Sequence, residues 1–328
     1  MLLEAVQSFS EGEVTEHTLS RFLRGLPGVD GVGLEQRAAA LATRSIKTTS
    51  KAWALDKVIS LIDLTTLEGA DTPGKVRSLA AKAMHPDASD PGCPRVAAVC
   101  VYGDMVPHAL TALGAAHGDP DQGGVSVAAV ATAFPSGRAA LSIKIADTAE
   151  AVSQGADEID MVIDRGAFLA GDFTVVFDQI QQVKKACQRP DGTSATLKVI
   201  LETGELGSYD NIKRASWLAI LAGGDFIKTS TGKVQPAATR AVTLLMLEVV
   251  RDWHALTGNT VGVKPAGGIR TSKDALAYLV TVAETVGEHW LQPHLFRFGA
   301  SSLLNDVLRQ RQKLQTGHYT GSDYVTID

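Results

Sequence analysis

Two lysines each close a short apolar run: Lys228 in DFIK and Lys264 in VGVK. A lysine amine can attack a carbonyl carbon and form a Schiff base, but at its ordinary pKa of about 10.4 it is almost wholly protonated at neutral pH. A working amine nucleophile needs roughly 7 to 8, so the shortfall is about 4 kcal/mol. A second ammonium close by, together with partial loss of water, lowers a lysine's pKa in the required direction. If the two runs are neighbouring strands, their lysines face each other and meet this requirement. Asp160, in EIDMVI, adds a carboxylate able to relay protons, directly or through water, while a carbinolamine loses water and C–C cleavage makes an enamine. The chemistry expected is aldol addition and its reverse through a lysine Schiff base.

Two further carboxylates end apolar runs, Asp63 in VISLID and Glu202 in LKVILE. For any one such residue the plain alternative is a capped, solvated loop position. For the lysines that alternative is weaker, because each follows its apolar strand directly. Near the chain's end, PAGGIR carries Gly267 and Gly268, GASSLL carries Ser301 and Ser302, and the TSTGK turn carries Gly232 and Lys233. Glycines let backbone N–H groups approach an anion, and serines that open a helix place its N-terminus there. The competing reading is that the glycines only make tight turns and the serines only cap a helix. Their joint placement favours a phosphate grip.

The elements that would hold these residues alternate between strand and helix from Lys57 onward. The strand cores expected are VISLID (58–63), VAAVCV (96–101), VSVAAV (125–130), EIDMVI (158–163), LKVILE (197–202), DFIKT (225–229), TVGVK (260–264) and LFRFG (295–299). Helices are expected over 74–84, 136–154, 173–188, 211–222, 236–256 and 272–286. Strand ends recur at roughly 25 to 45 residues, the length of one βα unit. Eight such units predict an α/β fold, a single (β/α)8 TIM barrel, with its site at the C-terminal ends of the strands. An open doubly wound sheet is disfavoured, since its phosphate-binding glycines usually follow the first strand, whereas here they follow the last two. Residues 1–50 read as an N-terminal extension of two helical stretches, 15–26 and 33–48, packed on a barrel of residues 51–328 that includes the C-terminal tail.

Composition narrows the partners. The net charge is −5 and no basic run occurs, which argues against nucleic acid and anionic membranes. The N-terminus lacks a basic segment before an apolar core, and no stretch reaches about 18 uninterrupted apolar residues, so a soluble cytoplasmic protein is expected. Cys93, Cys100 and Cys187 form no C-x-x-C pair and fit free thiols in a reducing compartment.

GGDFIKTSTGK (223–233) and VGVKPAGGIR (261–270) closely resemble the two lysine motifs of the deoxyribose-phosphate aldolases, and IDLTTL (62–67), GADEIDMVID (155–164) and FRFGASSLL (296–304) match as well. The resemblance spans about residues 57 to 312 in the family's order. It implies reversible cleavage of 2-deoxy-D-ribose 5-phosphate to acetaldehyde and D-glyceraldehyde 3-phosphate, with no metal or organic cofactor. Carried over by motif, Lys228 is the Schiff-base lysine, Lys264 the second lysine and Asp160 the proton relay. Asp63, Thr65, Cys100 and Thr229 fall at the substrate end of the site, with a small buried core residue as the equal alternative for Cys100. Gly232, Lys233, Gly267, Gly268, Ser301 and Ser302 fall at phosphate-contacting positions. Glu202 matches a family position without an assigned role. The resemblance further implies a homodimer, and in some members a C-terminal tyrosine assists proton transfer. Here the tail HYTGSDYVTID offers Tyr319 and Tyr324.

Three rival readings remain beside it. Another Schiff-base sugar-phosphate aldolase would keep both lysines and change the surroundings of Asp63 and Cys100. A silent barrel binding a phosphorylated metabolite would need the glycine loops but not the lysines and carboxylate together. A metal-dependent aldolase would need histidines at ligand spacing, which the scattered His85, His108, His117 and His254 do not provide.

Overall fold

The computed structural model describes residues 6, 14–44, 46, 49–318 and 321. Among them, eight parallel strands alternate with helices: β1 Ile62–Thr65, β2 Ala98–Tyr102, β3 Ser126–Ala131, β4 Glu158–Val162, β5 Thr196–Ile200, β6 Phe226–Lys228, β7 Gly262–Lys264 and β8 Phe298–Ala300. Their hydrogen-bonded order runs from β7 down to β1 and on to β8. The Val263–Phe296 and Ala266–Gly299 bridges join β7 to β8, and the Gly267 amide donates to the Gly299 carbonyl at 3.2 Å. The expected TIM barrel is therefore present and closes on itself.

Burial explains why these segments are strands. Every residue of β3 and β4 is buried; β3 is a continuous run of small and apolar residues, as strands are when helices cover the outside and packed side chains fill the interior, and the two carboxylates of β4, Glu158 and Asp160, are buried with cationic partners. Several covering helices begin on capping residues. The Thr72 hydroxyl accepts from the Lys75 amide to open helix Pro73–Met84, and Thr239 and Thr271 likewise cap Arg240–Thr257 and Ser272–Val286. In chain order the helices are α1 Glu16–Gly25, α2 Gly31–Ala42, α3 Thr49–Ser60, α4 Pro73–Met84, α5 Val106–Leu113, α6 Leu141–Ser153, α7 Arg165–Ala170, α8 Phe173–Ala186, α9 Tyr209–Leu221, α10 Arg240–Thr257, α11 Ser272–Val286 and α12 Leu303–Thr316.

Two expectations are corrected. Residues 58–60 end α3 instead of opening β1. Val58 and Ile59 are fully buried, and a short apolar run at a buried helix end looks the same in sequence as a strand. Helix α10 begins at Arg240 rather than 236, because Thr239 supplies the cap. The N-terminal helices α1 and α2 lie on the outer helices: Phe22 packs edge-on against Trp217 at 5.7 Å, Arg214 donates to the Leu23 carbonyl and Arg37 pairs with Glu248. Helix α3 runs across the boundary expected at residue 50 and leads straight into β1.

Candidate active site

Strand register brings the ionisable residues together. Lys228 of β6 pairs with Lys264 of β7, Asp160 of β4 pairs with Lys198 of β5, and Asp63 of β1 lies beside Gly299 of β8. Since the interior receives side chains from all the strands, these groups converge in one buried network. The Lys228 and Lys264 amines donate to the same oxygen, Asp160 Oδ2, at 2.8 and 2.7 Å. Lys198 donates to Asp160 Oδ1 at 2.9 Å and pairs with Glu158. Lys264 also reaches Asp63 Oδ2 at 2.5 Å. Beneath them Arg297 bridges Asp63 at 2.6 Å and Glu158 at 2.8 Å.

The network holds four cations, Lys198, Lys228, Lys264 and Arg297, against three carboxylates, Asp63, Glu158 and Asp160. Uncompensated charge in a dry interior is costly, so one cation is under pressure to lose its proton. Arg297 cannot do so at any ordinary pH. Lys264 touches two carboxylates and Lys198 touches Asp160, Glu158 and, at 3.8 Å, Asp63. Among the described carboxylates, the Lys228 amine pairs with Asp160 alone.

The pKa directions follow this count. Burial pulls Lys228 below the usual lysine range, outweighing the attraction of Asp160, and repulsion from Lys264 acts the same way. Burial alone would also lower Lys264, but Asp160 and Asp63 hold it above that range. Lys198 is likewise raised, because Asp160 and Glu158 outweigh its burial. Burial would raise Asp160, yet Lys198, Lys228 and Lys264 hold it well below the carboxylate range. Asp63 is held low in the same way against its burial, by Lys264, Arg297 and Lys198.

Above the network opens a cavity of about 1100 Å³. Lys228 lines it; Lys264, Lys198 and Asp160 lie beneath. Its walls include Thr65 together with Gly232, Lys233, Gly267, Gly268, Ser301 and Ser302, so every residue expected at the phosphate end borders one space. Gly232 and Gly267 both have positive φ, 81° and 77°. A Cβ on Gly267 would lie 2.9 Å from both Ala237 Cβ and Gly232 Cα, so Gly267 has no room for a side chain, while at Gly232 it is the positive φ that favours glycine. Ser302 is the N-cap residue of α12 but makes no side-chain capping bond, which leaves its hydroxyl free of the role the competing reading gave it. The Lys233 amine pairs at 2.8 Å with Glu68, on the loop after β1.

The remaining expected residues lie deeper. Cys100 is fully buried with its sulfur 4.0 Å from Asp160 Oδ2, and burial raises its pKa. Thr229 is also buried and does not border the cavity; its hydroxyl accepts from the Ala266 amide at 3.0 Å, tying the loop after β6 to the loop after β7. Tyr319 and Tyr324 lie outside the described residues.

Sequence reasoning did not single out Lys198, Glu158 or Arg297, although all three lie within or beside expected strands. A charged residue amid an apolar strand run was the available signal, since such a residue is buried only with partners. Arg270, two residues past Gly268, and Lys75 also border the cavity and were not anticipated. Among the described residues no group of three or more His, Cys, Asp and Glu side chains is placed to hold a metal ion.

Comparison with known proteins agrees with this architecture. The deoxyribose-phosphate aldolase of Mus musculus is 46% identical over 287 residues, covering 85% of this chain and 87% of the mouse protein. That of Homo sapiens is 44% identical over the same shares. A crystal structure from Coccidioides immitis, provisionally described as a deoxyribose-phosphate aldolase, superposes with a TM-score of 0.64 at 27% identity, covering 87% of this chain and 99% of the other. The family model of the DeoC/LacD family aldolases matches residues 57–309, from the last turns of α3 into α12. With its eight-stranded barrel and buried lysine network, the chain belongs to the DeoC/LacD aldolase family.

Proposed function

We propose that the chain cleaves 2-deoxy-D-ribose 5-phosphate reversibly to acetaldehyde and D-glyceraldehyde 3-phosphate, with Lys228 as the Schiff-base amine. One observation carries the reading: of the three lysines on Asp160, Lys228 alone borders the cavity, and it is the one whose pKa falls.

In this reading the neutral Lys228 amine attacks the aldehyde carbon of the open-chain sugar. Asp160, which already accepts from both lysines through one oxygen, relays the protons that turn carbinolamine into iminium and water. The hydroxyl at C3 then loses its proton, the C2–C3 bond breaks, and its electron pair moves toward the iminium nitrogen to leave an enamine on Lys228. D-Glyceraldehyde 3-phosphate departs; protonation of the enamine and hydrolysis release acetaldehyde. Lys264 keeps its proton and holds Asp160 and Asp63 ionised. Lys233, the glycine turns and the N-terminus of α12 take the phosphate. Thr65 and Cys100 lie toward the reacting end of the sugar.

We also assign the chain to the cytoplasm and to homodimers. Cys93, Cys100 and Cys187 are free thiols, as suits a reducing compartment, and no helix among the described residues is long and apolar enough to cross a membrane.

Borohydride reduction in the presence of acetaldehyde tests the mechanism. An ethyl adduct mapped to Lys228, missing in Lys228→Leu, with activity insensitive to chelator, is the expected result. No adduct, or activity lost to chelator, rules out the Schiff-base reading.

A further inference from the structure

We propose that Glu202 is a positioning residue for the phosphate grip, acting through Thr231 to hold the TSTGK turn in the shape that presents Gly232 and Lys233. Glu202 lies two residues past the end of β5 and is fully buried, and its backbone sits at φ 54°, ψ 60°, in the left-handed region that residues with a Cβ rarely adopt. Outliers of this kind persist where the surroundings hold them, and they concentrate at functional sites.

The contacts say what the strain is for. Glu202 Oε2 accepts from the Thr231 hydroxyl at 2.5 Å, and its two oxygens lie 3.3 and 3.4 Å from the Thr231 amide. Thr231 Oγ1 in turn accepts from the Lys233 amide at 3.1 Å. A chain of hydrogen bonds thus runs from the end of β5 to the backbone of the cation at the cavity mouth. The short turn Thr203–Glu205 that follows Glu202 backs the same loop, since a Cβ on Gly204 would collide with the Pro236 carbonyl. Arg165 offers the carboxylate a long contact at 3.4 Å and is itself engaged by Glu205 at 2.8 Å. Thr231 therefore provides Glu202's closest contacts, and burial raises the Glu202 pKa. The amides on either side of Glu202 donate to the backbone of β6 and its loop, Leu201 to the Lys228 carbonyl at 3.0 Å and Thr203 to the Thr229 carbonyl at 2.9 Å. None of the bonds of the Glu202 side chain reaches the Lys228 amine, so that side chain is assigned to binding of the phosphate and not to the Schiff base.

This inference rests on reading the loop as the phosphate grip. Steady-state kinetics with 2-deoxyribose 5-phosphate and with unphosphorylated 2-deoxyribose separate the two ideas. Glu202→Gly relieves the backbone strain and removes the carboxylate. It is expected to raise KM for the phosphorylated sugar about tenfold or more, with kcat and the kcat/KM for 2-deoxyribose held within about twofold. Glu202→Gln keeps an oxygen for Thr231 and is expected to recover most of the loss. Thr231→Val is expected to mimic Glu202→Gly, and the double variant to be no worse than the poorer single one.

Equal losses on both sugars, additive effects of the two substitutions, or an unchanged KM in Glu202→Gly would each overturn the inference while leaving the phosphate reading in place. A wild-type enzyme indifferent to the phosphate group would overturn both.

Discussion

Lys228 and Lys264 are register partners on adjacent strands, yet the link between them is a single oxygen, Asp160 Oδ2, to which both amines donate. The two lysines share an anion but differ in how well they are compensated, because of the two only Lys264 also contacts Asp63. This asymmetry divides the labour: the better compensated amine stays charged, and the other is free to be neutral.

A shift of the pH profile follows. In the proposed mechanism Lys228 loses its proton before attack, so kcat/KM is expected to rise with pH through the Lys228 pKa of the free enzyme. Lys264→Met removes a repelling cation and leaves Asp160 to attract Lys228 more strongly; both changes raise that pKa. The acid limb is expected to move to higher pH, and activity at pH 7 to fall about 10²- to 10⁴-fold. An acid limb that stays in place, or moves lower, would show that Lys264 does not set the proton on Lys228.

Charge balance predicts opposite stability effects for two buried lysines. Removing Lys228 leaves three cations against three carboxylates, so Lys228→Met is expected to change unfolding free energy by less than about 1 kcal/mol, or to stabilise. Removing Lys198 takes a cation from between Asp160 and Glu158, and Lys198→Met is expected to cost about 3–5 kcal/mol. Urea unfolding at pH 7 reads both; equal costs would contradict a neutral Lys228.

In the proposed reading of Lys233 as a phosphate contact, Glu68 competes with the phosphate for its amine. Its loop is pinned by Asp71, which accepts from Lys75 at 2.8 Å, from the Thr66 hydroxyl at 2.8 Å and from the Glu68 amide at 3.0 Å. The Glu68–Lys233 pair itself is exposed and weak, on the order of 0–1 kcal/mol. Glu68→Gln is expected to lower KM for the phosphorylated sugar by up to about fivefold and to strengthen inhibition by inorganic phosphate similarly. A higher KM would instead make Glu68 a support for Lys233.

Gly267→Ala tests the packing of the two glycine turns. Its Cβ meets Gly232 and Ala237 at 2.9 Å, and its φ of 77° is strained for alanine, at roughly 1–2 kcal/mol. KM for the phosphorylated sugar is expected to rise at least about tenfold. Thermal unfolding and kinetics on the same sample check it; an unaltered KM would mean these turns do not grip the phosphate.

Acid is expected to unfold the protein through its paired carboxylates. Asp63 and Asp160 have folded pKa values below the unfolded value of about 3.9. Their stabilisation is present above that value and is lost as pH falls through the lower folded values. Unfolding free energy followed from pH 6 downward should decline below about pH 4. A flat profile through that window would mean that the carboxylates gain nothing from their partners.

Much of the site was legible because its residues break a local pattern. Lys228 and Lys264 end apolar runs, Asp160 interrupts one, and the glycine and serine turns follow the last two strands; those are facts of order along the chain, and strand-and-helix alternation already implies a barrel. Contact across the barrel is another matter. Whether Lys198, Glu158 and Arg297 point inward depends on register and closure, since a one-residue shift sends a strand's side chains to the other face. The same holds for Glu202, whose left-handed backbone has no sequence mark, and for Glu68 and Lys233, which are 165 residues apart. Even α3 and β1 exchanged residues 58–60, because burial rather than local period decided them. The sequence by itself determined the fold class and the chemical groups available. Only tertiary structure decided which lysine is least compensated, because that is a sum over charges brought from five strands into one buried network.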